Sequence, residues 1–298
     1  MYSEYYELPS GKGGVIQVFQ SREIDLYILN QLFFVIISIG SVSIFVLILI
    51  SSYMAKKSLE PVRLAYERQK EFVGDASHEL RTPLTIMRTN LELLSMKEDE
   101  TIKENEKWFN NIFSETEAMT KLVQNLLTLA QVDHNQIKSN IENLDLSELT
   151  KKICDKLILV ASEKNIQLKS IIADNVMIKG DANRLEQLFI ILIDNAIKYT
   201  SEGGSIVVSL MTTTDKAYLS VKDTGVGISE NDKDKIFGRF YRVDKVRSRE
   251  QGGAGLGLSI AKWIVADHKA TIEIKSNLGD GSEFIIGFNT KNKNVNRL

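Results

Sequence analysis

His78 and Glu79 stand side by side in the run Phe72-Val73-Gly74-Asp75-Ala76-Ser77-His78-Glu79-Leu80-Arg81-Thr82-Pro83-Leu84-Thr85. An imidazole next to a carboxylate on one helix is an arrangement that does chemistry, because the acid can orient the ring and share its proton. Leu59, Tyr66, Val73, Leu80, Met87 and Leu94 recur every seven residues, the seam of a helix packed in a bundle or coiled coil. His78 lies five residues past Val73, about 140° around the helix from that seam, so its ring is expected in solvent. Thr82, four residues on, shares its face. Pro83 has no N–H for the carbonyl of Glu79, so the helix should bend or loosen there. The Thr82 hydroxyl has a bland alternative, satisfying the carbonyl of His78 beside that proline.

Three further clusters suit a phosphorylated ligand. In Asp194-Asn195-Ala196-Ile197-Lys198-Tyr199-Thr200, Asn195 follows an apolar helical run and needs something to satisfy its amide. A Mg²⁺ ion carrying phosphates and water would do so, since it takes oxygen ligands. In Asp223-Thr224-Gly225-Val226-Gly227-Ile228, the glycines let backbone approach a flat ligand and a strand-end carboxylate can accept from an exocyclic amine. In Gly252-Gly253-Ala254-Gly255-Leu256-Gly257-Leu258-Ser259, backbone N–H groups at a helix start favour phosphate. Each cluster taken alone reads equally well as an ordinary turn.

The elements that must position these residues follow from the rest of the chain. Its 298 residues leave room for about two domains, and a net charge of −2 gives no bias toward nucleic acid. From Leu26 to Ala55 no Asp, Glu, Lys, Arg or His occurs. The apolar stretch Leu32 to Ile50, at about 1.5 Å per residue, spans roughly 28 Å, close to the hydrocarbon thickness of a bilayer. Lys56, Lys57, Arg63, Arg68 and Lys70 crowd its C-terminal side, against Arg22 on the other, so residues 56–298 are expected in the cytoplasm and the chain in the cell membrane, in contact with lipid. No cleaved signal peptide is expected. The lone Cys154 excludes an intrachain disulfide and reads as a small buried hydrophobe.

Residues 1–25, with a strand-like Val15–Phe19, are too few to bury a core and form an extracytoplasmic tail or sensor remnant. Residues 26–55 form the transmembrane helix, and only Leu59-Glu60-Pro61 interrupts the helical pattern that continues into the histidine run. A second amphipathic helix covers about 101–134, with Asn105, Ile112, Met119, Leu126 and Asp133 at one heptad position and Ile102, Phe109, Thr116, Val123 and Ala130 at the other. Two such helices bury little alone, so residues 56–134 are expected to pair between two chains as a four-helix bundle. After a linker at 135–143, residues 144–290 alternate helices (147–164, 181–199) and strands (166–172, 175–179, 205–211, 217–221, 271–275, 283–288) as an α/β sandwich, and 291–298 form a tail.

The run around His78 resembles the phosphoacceptor box of sensor histidine kinases. The order of the Asn195 cluster, Asp223-x-Gly225-x-Gly227, Phe237-Gly238-Arg239-Phe240-Tyr241-Arg242 and Gly253-x-Gly255-Leu256-Gly257 resembles the nucleotide boxes of that family's ATPase domain. The resemblance spans about residues 57–290 and implies a helical hairpin dimerising to a four-helix bundle and an α/β-sandwich ATP-binding domain, which with the one transmembrane helix read from the apolar run make a membrane-anchored chain. It implies that Asn195 coordinates Mg²⁺, that Lys198 and Tyr199 line the pocket, and that Asp223 reads adenine. Gly225 and Gly227 would shape that pocket. Phe240 and Arg242 would belong to the nucleotide site, as would Gly253, Gly255, Leu256 and Gly257 at the end of a lid over 229–252. Many members carry two membrane helices with a sensor between them, which favours the remnant reading of residues 1–25.

The implied reaction is transfer of the ATP γ-phosphoryl group to a ring nitrogen of His78, with Glu79 orienting the ring, then to an aspartate of a response regulator. Glu79 and Thr82 also resemble the family's phosphatase motif, in which the threonine orients a water. One departure stands out: the family often has a second asparagine where this chain has Ile191, which cannot ligate a metal. Two other readings stay open. One is a membrane-anchored ATPase of the gyrase and chaperone type, which lacks the histidine run. The other is a non-catalytic dimeric adaptor, which Ile191 alone favours.

Overall fold

Alternating burial, with Ile206, Val208 and Leu210 of Ser205–Thr212 and Ala217, Leu219 and Val221 of Lys216–Asp223 turned inward, builds the sheet on which the C-terminal half depends. The computed structural model describes residues 2–7, 9, 11, 13–18, 22–97, 101–133, 139–243 and 253–290. Residues 135–138 of the expected linker, the distal part of the expected lid and the tail lie outside the described residues. The chain divides into two compact units, Met1–Lys70 and Glu71–Leu298.

In the first unit, β1 (Tyr2–Glu7) and β2 (Gly13–Val18) form an antiparallel hairpin, with Tyr2 opposite Val18 and Glu7 opposite Gly13. Only the second strand is visible in the sequence pattern, because β1 has no alternation of its own and needs a partner to be recognised. Next comes α1 (Arg22–Ser95), whose apolar stretch is exposed and, by length and composition, able to cross a membrane. Pro61 does not interrupt it. A single proline removes one hydrogen bond, and the helical residues on either side carry the helix past that loss.

In the second unit, the rest of α1 from Glu71 is followed by α2 (Glu106–Asp133), whose Thr116 hydroxyl reaches the Met87 sulfur of α1 at 3.4 Å. The helix assignment also continues through Pro83, which is buried, so the expected bend is no break. Asn105, just before α2, and Ile112, Met119 and Leu126 on it turn inward, together with Leu122 and Leu129. Ile102, Thr116, Val123 and Ala130 are exposed, as is Val73 on α1. The second heptad position thus faces outward from the single chain, where a second copy would cover it. A two-helix hairpin covers one stripe per helix, and the next stripe is left to other partners.

Beyond the hairpin, β3 (Glu142–Asp145) pairs with β5 (Met177–Gly180). The main sheet has the order β4 (Gln167–Ile172), β6 (Ser205–Thr212), β7 (Lys216–Asp223), β9 (Gly281–Asn289), β8 (Thr271–Asn277). Its β4–β6 pair is parallel and the other pairs are antiparallel. Helices α3 (Leu146–Glu163), α4 (Ala182–Tyr199) and α5 (Gly257–Asp267) bury their apolar stripes against it. Fully buried Leu185, Leu188, Phe189, Leu192 and Ile193 make α4 the central helix, and Cys154 on α3 is free and buried, its thiol pushed up to about 11 by burial.

The chain entering this sandwich is fastened by a buried polar cluster. Asp181 caps α4 by accepting from the N–H groups of Asn183 (3.1 Å) and Arg184 (3.2 Å), and it also accepts from the N–H of Asn140 (3.0 Å). Arg184 pairs with Asp267 and lies 4.8 Å over the Trp263 ring, while Ser139 donates to Asp267 at 2.9 Å. Burial opposes ionisation of Asp181, but these N–H donors and the Arg184 guanidinium together hold its carboxyl below the usual range. Stabilisation from such a group is complete above its unfolded value of about 3.9 and is lost as pH falls through the lower folded value. Asp181→Ala is expected to destabilise the sandwich by about 0.5–2 kcal/mol at neutral pH. Urea titrations followed by tryptophan fluorescence should show this difference shrinking once the pH falls below about 4.

Candidate active site

The candidate phosphoacceptor stands open. His78 is exposed, with Glu79 half-buried beside it and Thr82 exposed one turn on. Thr82, Arg81, Thr85 and Ile86 line a shallow concavity with His78. Ser77 and Thr85 donate to the carbonyls of Val73 and Arg81, four residues back, whereas the Thr82 hydroxyl has no hydrogen bond among the described residues. The bland role for Thr82 is thus not the one it takes. Pro83, buried behind this face, leaves the Glu79 carbonyl without its helical donor.

The candidate nucleotide cradle is built where α4, the end of β7 and the start of α5 meet. Ile191, Asn195 and Lys198 lie on one face of α4 by their three- and four-residue spacing. Asn195 is half-buried, and its amide has no partner among the described residues. Lys198 pairs with Asp194 at 2.7 Å, and its Nζ would lie 3.8 Å from a Cβ on Gly253. Ile191 is half-buried, and its Cγ2 would lie 3.3 Å from a Cβ on Gly257. Position 191 therefore faces the start of α5, close to the glycine cluster. Leu256, just before α5, is buried and anchors that turn.

Asp223 ends β7 with a buried carboxylate whose Oδ1 accepts from the N–H groups of Gly225 (2.8 Å) and Ser282 (3.2 Å). A side chain at Gly225 would sit 2.4 Å from the Tyr199 carbonyl oxygen. At Gly227, with φ of 71°, it would meet the Asn277 carbonyl oxygen at 1.9 Å, so only glycine fits. Tyr199 is exposed at the end of α4 and accepts the Val226 N–H at 3.3 Å. Ser282 and Gly281 were not foreseen. Their contribution is a backbone N–H and a close approach to the Asp223 carbonyl, and neither leaves a signal in a side-chain pattern.

The expected lid begins as an ordered segment. Asp232 accepts from the hydroxyls of Tyr241 and Ser229, both at 2.7 Å, and these bonds, that of Tyr241 first, hold its carboxyl below the usual range. A short 3₁₀ turn, Lys235–Phe237, follows. Phe240 takes a left-handed φ of 57°, and its backbone would lie 2.9 Å from a Cβ on Gly255, so Phe240 lies against the glycine cluster. Arg242 is half-buried beside it.

Comparison with known proteins accounts for both halves. Residues 68–135 match the His Kinase A (phospho-acceptor) domain, and residues 180–292 match the histidine kinase-, DNA gyrase B- and HSP90-like ATPase family. The chain belongs to the sensor histidine kinases. It is 40% identical over 237 residues to sensor protein CiaH of Streptococcus pneumoniae, covering 80% of this chain and 53% of that protein. It is 38% identical over 232 residues to the signal transduction histidine-protein kinase ArlS of Staphylococcus aureus, covering 77% of this chain and 51% of that protein. It thus spans about half the length of these curated relatives. Among solved structures, the Acinetobacter baumannii histidine kinase AdeS is 26% identical with a TM-score of 0.59, over 72% of this chain and 98% of that one. The histidine kinase ThkA, solved in complex with response regulator protein TrrA, shares the fold with a TM-score of 0.60 at 24% identity, over 77% of this chain and 64% of that one.

Burial pushes the Asp223 carboxyl above the usual range, against the pull of the Gly225 and Ser282 N–H groups. A group raised in this way contributes stability below its unfolded value and loses it as pH rises through the folded value. At neutral pH the ionised carboxylate therefore costs the fold, and it is retained for what it can accept. Asp223→Asn is expected to keep or raise the melting temperature at pH 7.5 while abolishing binding of a fluorescent ATP analogue. In the unmutated protein, analogue affinity should begin to fall at a pH above the ordinary aspartate value of about 3.9.

Proposed function

We propose that this chain is the kinase portion of a sensor histidine kinase that autophosphorylates on His78 from ATP and passes the phosphoryl group to an aspartate of a response regulator. The observation that carries this reading is the pairing, in one chain, of exposed His78 and Thr82, with Glu79 half-buried beside them, and a glycine-rich cradle around the buried Asp223 carboxylate. The distal ring nitrogen of His78 attacks the γ-phosphorus, the bond to the β,γ-bridging oxygen breaks, and ADP leaves. Glu79 orients the ring and shares its other proton. Asp223 accepts from the adenine amino group, Tyr199 and the glycines at 225 and 227 wall the base, and Lys198 with the backbone of Gly253, Gly255 and Gly257 faces the phosphates. Phe240, Arg242 and Leu256 hold the lid ends.

The residues present fit Mg²⁺. Asn195 offers an unpaired amide oxygen, and among the described residues no three His, Cys, Asp or Glu side chains gather to make a dedicated metal cage. Asn195, phosphate oxygens and water would hold the ion, which when bound neutralises charge on the transferring phosphoryl group. Thr82, its hydroxyl uncommitted, would orient a water for hydrolysis of the regulator's phosphoaspartate.

We place residues 26–55 across the cell membrane in contact with lipid, residues 56–298 in the cytoplasm, and two copies of residues 56–134 in a four-helix bundle. The exposed Val73, Val123 and Phe113 supply apolar surface for the second copy. Nothing in net charge points to nucleic acid.

With radiolabelled ATP and Mg²⁺ the protein is expected to take label on His78, labile to acid and stable to alkali, as a phosphoramidate should be. Label that survives acid or persists in His78→Gln would refute the kinase. Thr82→Ala should label normally yet slow decay of phosphorylated regulator, and unchanged decay would remove the phosphatase role. Because Ile191 faces the start of α5, Ile191→Asn is expected to hold or tighten Mg²⁺-dependent binding of the ATP analogue. A large loss of affinity would mark position 191 as core alone.

A further inference from the structure

The turn between β8 and β9 is docked on the glycine loop that follows β7. Gly279 donates its N–H to the Val226 carbonyl at 2.8 Å, and the Ile228 N–H donates to the Ser276 hydroxyl at 2.8 Å. A Cβ on Gly227 would sit 1.9 Å from the Asn277 carbonyl oxygen, so loop and turn meet backbone to backbone. Half-buried Ser276 is the hub of this contact. Besides accepting from Ile228, it donates to the Gly281 carbonyl at 2.7 Å, which leaves its second lone pair for the Ser282 hydroxyl, 3.0 Å away and directly opposite in the β8–β9 register. A serine hydroxyl has one donor and two acceptor sites, and here all three are used.

The carbonyl that Ser276 holds belongs to the peptide bond joining Gly281 to Ser282. The N–H at the other end of that bond is the one that reaches Asp223 Oδ1, at 3.2 Å. A trans peptide is rigid and planar with its C=O and N–H pointing opposite ways, so fixing one aims the other. Gly281, at a φ of 85°, imposes little steric preference on that plane, which leaves its orientation to hydrogen bonds. We infer that Ser276 is a positioning residue for the nucleobase: its hydroxyl sets the Gly281–Ser282 peptide and the Val226–Ile228 loop so that the Asp223 carboxylate is presented to an exocyclic amine. This rests on the nucleotide reading above. Ser276 acts through Asp223, whose Oδ1 is taken by the Gly225 and Ser282 N–H groups while Oδ2 is left for the ligand. Without the hydroxyl, the Ile228 N–H, the Gly281 carbonyl and the Ser282 hydroxyl lose a partner together, and the carboxylate loses its fixed direction.

The test compares ATP with ITP, whose base carries a carbonyl oxygen where adenine has its amine, by displacement of a fluorescent ATP analogue from the full chain in lipid nanodiscs. The unmutated chain is expected to prefer ATP by about tenfold or more, the worth of a hydrogen bond to a charged group. Ser276→Ala should lose about tenfold in affinity for ATP and less than about twofold for ITP, so that the preference largely disappears. Ser276→Thr keeps the hydroxyl and should hold the preference within about twofold. A serine with a merely structural role would weaken both nucleotides alike and leave their ratio standing, and that result overturns the inference. So does a threonine variant that loses the ratio along with alanine, because space and not the hydroxyl would then decide. Should Ser276→Ala fail to fold, Ser276→Cys, a weaker partner of nearly the same shape, carries the same comparison. If the unmutated chain binds both nucleotides alike, or neither, the reading of Asp223 as the adenine acceptor fails and the inference with it.

Discussion

The desolvated carboxylate of Asp223 is the constraint around which the nucleotide domain is arranged. A buried charge is tolerated only where hydrogen bonds replace water, and here the N–H groups of Gly225 and Ser282 supply them. That requirement brings the glycine loop after β7 and the start of β9 to one point. It also dictates two of the glycines. At 225 the Tyr199 carbonyl, and at 281 the Asp223 carbonyl, come closer than any Cβ would allow. The end of α4 is thereby fixed against the loop, and with α4 go Asn195 and Lys198. A site whose parts come from three elements is held by one acceptor and its backbone donors, and the apolar core beneath it keeps those elements from drifting.

The histidine face obeys the opposite logic. His78 and Thr82 lie in solvent on a helix whose inner stripe is occupied by Leu80 and Met87, so neither is constrained by packing and both are free to meet a second molecule. Acceptor and donor sites thus differ in rigidity as their roles require. On the proposed function, the cradle would select a nucleotide, whereas the acceptor would be reached in turn by a phosphoryl donor and by a protein that takes the group away. The Arg239–Asp133 pair sits between these two regimes. It is two-pronged in geometry and partly exposed, where such a pair holds only weakly.

Several features were open to reading from residues alone. The apolar run Leu32–Ile50 and its flanking lysines, the helices over 146–163 and 182–199, and the alternating strands are local patterns, and local periodicity is what a sequence displays. The exposure of His78 followed from its angle to the heptad seam. Which α2 positions the single chain buries, Leu122 and Leu129, and which it leaves outward, Val123 and Ala130, were not separable in the sequence, because both sets repeat every seven residues and only the neighbouring helix tells them apart. Strand β1 was missed because its six residues carry no period without β2 beside them.

The residue types that do the chemistry, and the order in which they occur, were determined by the sequence: a histidine next to a glutamate, an asparagine on an apolar helix, an aspartate before a pair of glycines. What those residues touch was decided by tertiary structure. That Ile191 faces the start of α5, that Ser282 donates to Asp223 from 59 positions away, and that Asp133 meets Arg239 across 106, all depend on where the sheet and helices bring distant backbone together. Side-chain chemistry is a property of each residue and survives in a string of letters. A contact between residues far apart in the chain is a property of the packed whole, paid for by the burial of the core, and no local pattern records it.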